Sequence, residues 1–352
     1  MNSPRVLDLA FDELASVLAH APRYRARQVW EGIYKQFASS YSEISTLPSD
    51  LRLQLSRELP FTVLEDEDRA VSQDGQTTKT LHRLEDGQTI ESVCMLYRSR
   101  ATVCVSSQVG CAIGCPFCAT GDAGFVRDLS TGEIVAQVLC AARRLSKIDR
   151  VLSNVVYMGM GEPFFNYDAV LSSVRILNDS HGFNLGARSY TISTAGVVGG
   201  IDRLSGEGIQ VNLAVSLHAI ENTLRDRLVP LNRQFPVQDV LAACQRYIDR
   251  TNRRVTFEVA LMRDVNDSVG QAVSLARGLA GMLCHVNLIH YNPTGNPELA
   301  ASSTERMDAF AAALEERGIP ISIRDSKGTD IQAACGQLRA KNGPGIEKGA
   351  GA

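Results

Sequence analysis

Seven apolar, β-branched runs recur between Ala101 and Ser326, and this repeat constrains the fold more than any other feature of the chain. They read TVCVSS, VLSNVVYMG, SYTIST, VNLAVSLH, VTFEVALM, HVNLIHYN and ISIRDS. Most are separated by amphipathic helical stretches such as STGEIVAQVLCAARRL and YDAVLSSVRILND. Strands that alternate with helices predict parallel βαβ units. The pattern therefore predicts an α/β fold, with a sheet that is either barrel-like or open and doubly wound.

The N-terminal part differs in character. YRARQVWEGIYKQ carries apolar residues at helical spacing, and LPSDLRLQLSREL reads as a second helix opened by Pro48 and Ser49. TKTLHRL and TIESVCMLY are strand-like and lead into the main body. We predict a small helical accessory domain over residues 1–88, a core domain over 89–340 and a flexible tail over 341–352.

Polar and glycine-rich segments follow directly on four of the predicted strands. These segments are MGMGEP, STAG, SLHA and YNPTG. Active sites of barrels and open α/β sheets lie at the carboxyl ends of the strands. We therefore expect the chemistry of this protein at that end of the sheet.

Charge and hydropathy exclude some classes of function. The net charge of -3 comes from 36 basic and 39 acidic side chains. The chain therefore has no overall positive charge that would indicate a nucleic-acid partner. A local basic face would still be enough to bind nucleic acid. The N-terminus MNSPRVLDLAFDEL is too acidic for a signal peptide, and no run of 18 apolar residues occurs. We predict a cytoplasmic protein without a membrane segment.

Three of the nine cysteines, Cys111, Cys115 and Cys118, form a C-x3-C-x2-C motif on one short loop. Thiolates select zinc, copper(I) or iron-sulfur clusters. A structural zinc site usually takes four ligands as two separated pairs, and no second pair lies nearby in sequence. Three cysteines better fit a [4Fe-4S] cluster with one iron open to substrate. The spacing alone leaves open the role of Cys104, which lies seven residues before Cys111.

Four further cysteines occur singly in apolar surroundings. We predict that they are buried small hydrophobic residues in a reducing compartment. They are Cys94, Cys140, Cys244 and Cys284.

The cysteine motif resembles the radical S-adenosylmethionine (SAM) superfamily, and six ordered motifs resemble its adenine-methylating RlmN/Cfr family. The motifs are CVSSQVGCAIGCPFCATGDAGFVRDL, MGMGEP, SYTISTAGVV, VSLHA, LIHYNP and GTDIQAACGQL. The resemblance implies a partial (β/α)6 barrel and a [4Fe-4S] cluster. It also implies two SAM molecules per turnover and a one-electron reductant of the flavodoxin or ferredoxin type.

The resemblance also assigns roles to residues outside the cluster. Cys335 would take a methyl group from one SAM, and a 5'-deoxyadenosyl radical from the second would abstract hydrogen from that S-methyl group. The methylene radical would add to adenine, and Cys104 would attack the Cys335 sulfur to form a disulfide. Glu91 would be the proton acceptor. The residues alone leave another interpretation open, in which Cys335 and Cys104 are inert buried thiols and Glu91 is an exposed carboxylate at a strand end.

Cofactor contacts follow in the same way. Gly161 lets backbone approach a ligand, and Glu162 can accept from the ammonium group of SAM. By itself His218 is more typical of a structural histidine. The resemblance adds five SAM contacts at later strand ends, namely Ser193, Ser216, Leu217, His218 and Asn292.

RNA is the implied substrate. The family methylates an adenine of 23S rRNA at the peptidyl transferase centre, and RlmN-type members also modify the adenine 3' of the anticodon in tRNAs. Reaching a base carbon requires an unstacked base. RlmN and Cfr differ in the adenine carbon that they methylate, C2 or C8 respectively. Val109 favours methylation at C2, whereas Gln332 does not distinguish the two. Arg23, Arg25 and Arg27 either face phosphates or form a solvated helix face.

Two other functions stay open beside this interpretation, and we expect a monomer in each case. One is a non-catalytic iron-sulfur protein that binds RNA. The other is a different radical SAM reaction on a small molecule, which would not need Cys335.

Overall fold

The computed structural model describes residues 5–62 and 64–339, so the tail predicted at 341–352 lies outside the described residues. The strands are β1 Leu64–Val71, β2 Thr77–Leu84, β3 Thr89–Leu96, β4 Ala101–Cys104, β5 Gln108–Gly110, β6 Phe125–Asp128, β7 Asn154–Tyr157, β8 Tyr190–Thr194, β9 Asn212–Ser216, β10 Val255–Leu261, β11 Cys284–His290 and β12 Ile321–Arg324. The α-helices are α1 Phe11–Val17, α2 Tyr24–Tyr34, α3 Ser49–Glu58, α4 Ala119–Asp122, α5 Thr131–Ser146, α6 Tyr167–Asn178, α7 Val198–Ser205, α8 Asn222–Leu228, α9 Val237–Thr251, α10 Val269–Gly278 and α11 Thr304–Glu315.

Ten strands form one sheet in the order β1-β2-β3-β4-β7-β8-β9-β10-β11-β12. From β4 to β12 the neighbours are parallel, and a helical crossover joins each consecutive pair. All seven predicted runs are strands of this parallel part. The predicted α/β fold with a parallel sheet is confirmed, because apolar runs buried under helices on a sheet leave a strong sequence signal.

The sheet continues on its other side with antiparallel strands. TKTLHRL and TIESVCMLY form β2 and β3 as predicted, and β3 pairs with β4. Sequence patterning missed β1, whose LEDEDRAV is mostly exposed at the sheet edge. A charged edge strand lacks the apolar alternation by which strands are recognised.

The N-terminal helices pack on the helical layer of the sheet. In α2 the apolar stripe that the sequence predicts is buried, and Trp30 donates from Nε1 to Asp179 Oδ1 at 3.3 Å. Asp8 Oδ1 accepts from the Gly132 amide at 2.6 Å, at the start of α5. The boundary at residue 88 between an accessory domain and the core stays a prediction. Strands β1 and β2 precede that residue and yet belong to the main sheet.

Two of the four single cysteines depart from the prediction. Cys244 and Cys284 are buried, as predicted, but Cys94 and Cys140 are only half-buried. Cys140 Sγ lies 3.5 Å from Asp66 Oδ1. The prediction was wrong there because the face of α5 that carries Cys140 meets the polar strand β1, which the sequence did not reveal.

No helix within residues 5–62 and 64–339 combines the length and apolar character that a membrane span requires.

Candidate active site

A small hairpin frames the cysteine loop. β5 and β6 pair antiparallel, with an irregularity at Gly110. Gly110 has φ +76°, and a Cβ there would lie 1.8 Å from the Gly124 carbonyl oxygen. That same oxygen accepts from the Cys111 amide at 2.8 Å. Only glycine fits this close approach, which sets the direction in which the cysteine loop leaves the hairpin.

The three cysteines of the loop line one cavity at the carboxyl ends of the parallel strands. The cavity holds about 1060 Å³ of space, part of it open to solvent. Burial raises the pKa of the Cys111 thiol to about 12, and that of Cys115 well above its usual range. Iron binding would replace these thiol protons, because the metal ligand is the thiolate.

The sulfurs of the three loop cysteines are not gathered as they would be around a single ion. Three thiolates on one tetrahedral zinc ion would lie about 3.8 Å apart. Within the part of the chain that the structure describes, Cys111, Cys115 and Cys118 do not form a set of ligand atoms all lying within 4.8 Å of one another. Thiolates on separate irons of a [4Fe-4S] cluster need such wider spacing.

Six of the seven predicted SAM contacts line this same cavity. Leu217 is the exception, since its side chain is fully buried and its amide donates to the Glu258 carbonyl at 3.0 Å. Any contact that it makes would come through its backbone. The lining residues are Gly161, Glu162, Ser193, Ser216, His218 and Asn292.

Glu162 is fixed by backbone amides. Its Oε2 accepts from Ala195 at 2.7 Å and its Oε1 from Phe164 at 3.0 Å. Burial raises the pKa of the Glu162 carboxyl to about 7. A carboxylate keeps free lone pairs after two such bonds, so it can still accept from an ammonium group. Gly161 has φ +99° and packs on Gln108, where a Cβ would clash.

His218 is held as a neutral ring. Its Nδ1 accepts from the Ala260 amide at 3.1 Å, and its ring meets Phe117 edge-on at 4.6 Å. Burial lowers the pKa of His218 to about 3. The proton therefore resides on Nε2, which leaves one donor for a ligand in the cavity.

Cys335 connects the cluster cavity to a second cavity. The second space, of about 1040 Å³, is lined by both Cys104 and Cys335. Cys335 is exposed to these spaces, and the surrounding protein raises the pKa of its thiol. Cys104 ends β4 and is 8% exposed. Its pKa is raised to about 12 by burial and by the neighbouring Cys335. Two cysteines about 230 residues apart in sequence thus meet at one site.

Hydrogen bonds to its backbone carbonyls hold the Cys335 segment in place beside the cluster loop. The Ala119 amide donates to the Gly336 carbonyl at 2.7 Å, and Thr120 Oγ1 donates to the Leu338 carbonyl at 2.7 Å. Asn292 Nδ2 donates to the Cys335 carbonyl at 3.3 Å. The position of Cys335 is therefore coupled directly to the helix that follows the cluster cysteines.

Comparison with known proteins agrees with this geometry. Residues 105–276 match the Radical SAM superfamily. A Chloroflexus aurantiacus protein named "Probable dual-specificity RNA methyltransferase RlmN" is 44% identical over 97% of this chain and 94% of its own. A Thermotoga neapolitana protein of the same name is 46% identical over 96% of this chain and 97% of its own. The chain belongs to the RlmN family.

A solved structure extends this agreement to three dimensions. The crystal structure of a radical SAM methyltransferase from Sphaerobacter thermophilus is 52% identical in sequence. It superposes with a TM-score of 0.94 and covers 96% of this chain and 99% of that one. Membership in the RlmN family within the radical SAM superfamily implies a [4Fe-4S] cluster and SAM as cofactors.

Glu91 of this RlmN family chain is not the exposed strand-end charge that its local sequence alone would favour. It lies within β3, is 5% exposed, and pairs through Oε1 with Lys79 Nζ at 3.0 Å. Its Oε2 accepts from the Arg339 amide at 2.8 Å. Glu91 lines neither of the two cavities. Its hydrogen bond from the Arg339 amide instead connects it to the C-terminal segment just beyond Cys335.

Arg225 is a supporting residue that sequence analysis missed. It is fully buried beneath the cavity and donates to the carbonyls of Ala195 at 2.6 Å, Leu217 at 3.0 Å and Ser216 at 3.2 Å. It thereby joins the carboxyl ends of β8 and β9, where SAM contacts are predicted. Nothing in NTLRDRL distinguishes this arginine from one on a solvated helix face.

Replacing Arg225 with methionine should lower the free energy of unfolding by about 3–5 kcal/mol, because several buried carbonyls lose their charged donor. Arg227→Met, at an exposed position of the same helix, should change it by less than about 0.5 kcal/mol. Denaturant unfolding of both variants measures the difference. Equal stabilities would show that Arg225 does not hold the strand ends together.

Proposed function

We propose that this chain methylates C2 of an adenine in 23S rRNA, at the peptidyl transferase centre, and of the adenine 3' of the anticodon in tRNAs. The proposal includes an S-methylcysteine intermediate on Cys335. One observation carries it: Cys335 borders both the cavity of the cluster cysteines and the cavity that contains Cys104. A radical SAM reaction without a protein methyl carrier has no need of this arrangement.

When bound, the cluster and two SAM molecules per turnover would supply the methyl group and the 5'-deoxyadenosyl radical, after reduction by a flavodoxin- or ferredoxin-like partner. The chain's own residues bind and orient these groups. Cys111, Cys115 and Cys118 hold the cluster. Glu162, on two backbone amides, accepts from the SAM ammonium group, and the remaining contacts are those predicted at Gly161, Ser193, Ser216, Leu217, His218 and Asn292.

Cys335 carries the methyl carbon to the base. Its exposure to both cavities allows a methyl donor to reach the sulfur from one side and an adenine from the other. The hydrogen bonds from the Ala119 amide and the Thr120 hydroxyl hold its segment at a fixed place beside the cluster loop. Such fixed placement of reacting groups lowers the entropic cost of the transfer.

Cys104 releases the product. Its thiolate would attack the Cys335 sulfur, so that a sulfur–sulfur bond forms as the sulfur–carbon bond of Cys335 breaks. The electron pair of the broken bond goes to the carbon, which takes up a proton and becomes the methyl group of the base. The raised pKa of Cys104 means that a base must take its proton as it reacts.

For Glu91 we propose the role of proton acceptor at the base carbon. Because Glu91 lines neither cavity, its contacts with Lys79 and Arg339 have to open before it reaches the substrate. Movement of the C-terminal segment on RNA binding would open the contact with the Arg339 amide.

The remaining parts of the proposal concern the setting of the reaction. Residues 1–88 are proposed to be an accessory RNA-binding domain and 89–340 the catalytic core of a cytoplasmic monomer. Arg25 bonds to the Thr46 carbonyl and Arg27 to Glu31, while Arg23 is exposed at the start of α2. An RNA phosphate that binds these arginines would therefore replace only weak surface contacts, which cost little free energy to break.

Mass spectrometry of nucleosides tests the assignment of the carbon. RNA treated with the cluster-loaded enzyme, SAM and reductant should contain 2-methyladenosine in both 23S rRNA and tRNA. Formation of 8-methyladenosine would support the Cfr-type alternative and overturn C2. Cleavage of SAM without any methylated adenosine would overturn RNA methylation altogether. Comparing free 23S rRNA with tRNA separates the two proposed substrates.

A further inference from the structure

A second group of metal-ligating side chains lies outside the catalytic cavities. Asp66 on β1, His82 on β2 and Cys140 on α5 bring one oxygen, one nitrogen and one sulfur atom within 4.8 Å of one another. No other set of three or more such ligands lies so close within residues 5–62 and 64–339. The group joins the antiparallel extension of the sheet to α5.

The distances in this group agree with a single tetrahedral ion. Bonds of about 2.0 Å to nitrogen and oxygen and about 2.3 Å to sulfur place an N–O pair about 3.3 Å apart and an S–O pair about 3.5 Å apart. His82 Nδ1 lies 3.1 Å from Asp66 Oδ1, and Cys140 Sγ lies 3.5 Å from the same oxygen. Little movement is needed to admit an ion.

The outer atoms of the ligands are already held in place. His82 Nε2 is 2.7 Å from Ser92 Oγ, which leaves Nδ1 directed at Asp66. Asp66 Oδ2 pairs with Arg144, which also donates to Thr80 Oγ1 at 2.5 Å. Metal sites use such neighbours to orient their ligands. Arg144 pairs with Asp66 Oδ2, which lies 4.0 Å from Cys140 Sγ, whereas Oδ1 is the oxygen nearer to Cys140.

His82 provides an independent observation. Its side chain is fully buried, yet Nδ1 makes no hydrogen bond of acceptable geometry, despite the short contact to Asp66. A buried ring nitrogen without a well-aligned hydrogen bond costs stability. A metal ion would satisfy this nitrogen, and the exposed side of Asp66 gives the ion a path from solvent.

We propose that Asp66, His82 and Cys140 form a binding site for one zinc ion, with water as the fourth ligand. The mixed N, O and S donor set suits zinc among the divalent metals. The bound ion fixes the edge strand β1 to α5. The site is separate from the cluster cavity, and the proposal does not depend on the reaction catalysed there.

Zinc binding is tested on the cluster-loaded protein, so that the cluster cysteines are occupied. After addition of zinc sulfate and gel filtration, elemental analysis should find one zinc per chain in addition to the iron. X-ray absorption at the zinc edge should find one sulfur and three nitrogen or oxygen neighbours. Cys140→Ser and Asp66→Asn should each weaken zinc binding at least tenfold in competition with a chelator.

Matched controls are available on β1 and on β11. Glu67→Gln, the adjacent acid of β1, and Cys284→Ser, a single cysteine elsewhere, should bind zinc as the unmodified protein does. Iron content and melting temperature verify that every variant is folded. Zinc bound equally by Cys140→Ser and by the unmodified protein overturns the proposal. Three sulfur neighbours at zinc also overturn it, because the ion then occupies the cluster cysteines.

Discussion

Replacing Cys335 with alanine should abolish RNA methylation while the iron content and visible absorbance of the cluster stay unchanged. The cluster ligands are on another loop, and Cys335 contributes no predicted ligand to it. Alanine keeps the backbone carbonyls of this segment that accept from the Ala119 amide and from Asn292 Nδ2, so the cavity should remain formed. The measurement is methyl transfer from labelled SAM to RNA, together with iron analysis.

The matched control for this variant is Cys284→Ala, which removes a buried thiol that lines neither cavity. It should retain methylation at a rate within a few fold of the unmodified enzyme. Methylation of RNA by Cys335→Ala would sink the S-methylcysteine mechanism. It would leave membership in the RlmN family untouched, because that rests on similarity over nearly the whole chain.

Replacing Cys115 with alanine should remove the cluster and, with it, both SAM cleavage and methylation. Cys115 is central to the three-cysteine loop, and its amide and carbonyl pack closely against Gly121. With two thiolates left, the cluster loses one of its three protein ligands. Iron content, visible absorbance and formation of 5'-deoxyadenosine should all fall to background, whereas Cys284→Ala should change none of them.

The two cysteine variants separate the two parts of the site. Cys115→Ala should lose every activity, and Cys335→Ala only the methyl transfer to RNA. If Cys115→Ala kept a full complement of iron, the cluster would be held by other residues, and the assignment of Cys111, Cys115 and Cys118 would be wrong.

The strands of the parallel sheet were predictable because each is a short apolar run between helices. The cysteine loop was predictable because ligand type and spacing are local in sequence. β1 was not predictable, since an acidic edge strand is stabilised by its pairing with β2 rather than by burial. The half-buried state of Cys140 depends on that same missed strand, and so the prediction of a buried thiol failed.

The sequence by itself determined the α/β architecture, the cluster motif and the resemblance to a family of adenine-methylating radical enzymes. Only the tertiary structure decided that Cys104 and Cys335 share a cavity, that Glu91 is buried against Lys79, and that Arg225 joins two strand ends. The reason is physical: periodicity and ligand spacing act over a few residues, whereas these contacts form between segments brought together by the packing of the whole sheet. Asp66, His82 and Cys140 meet for the same reason.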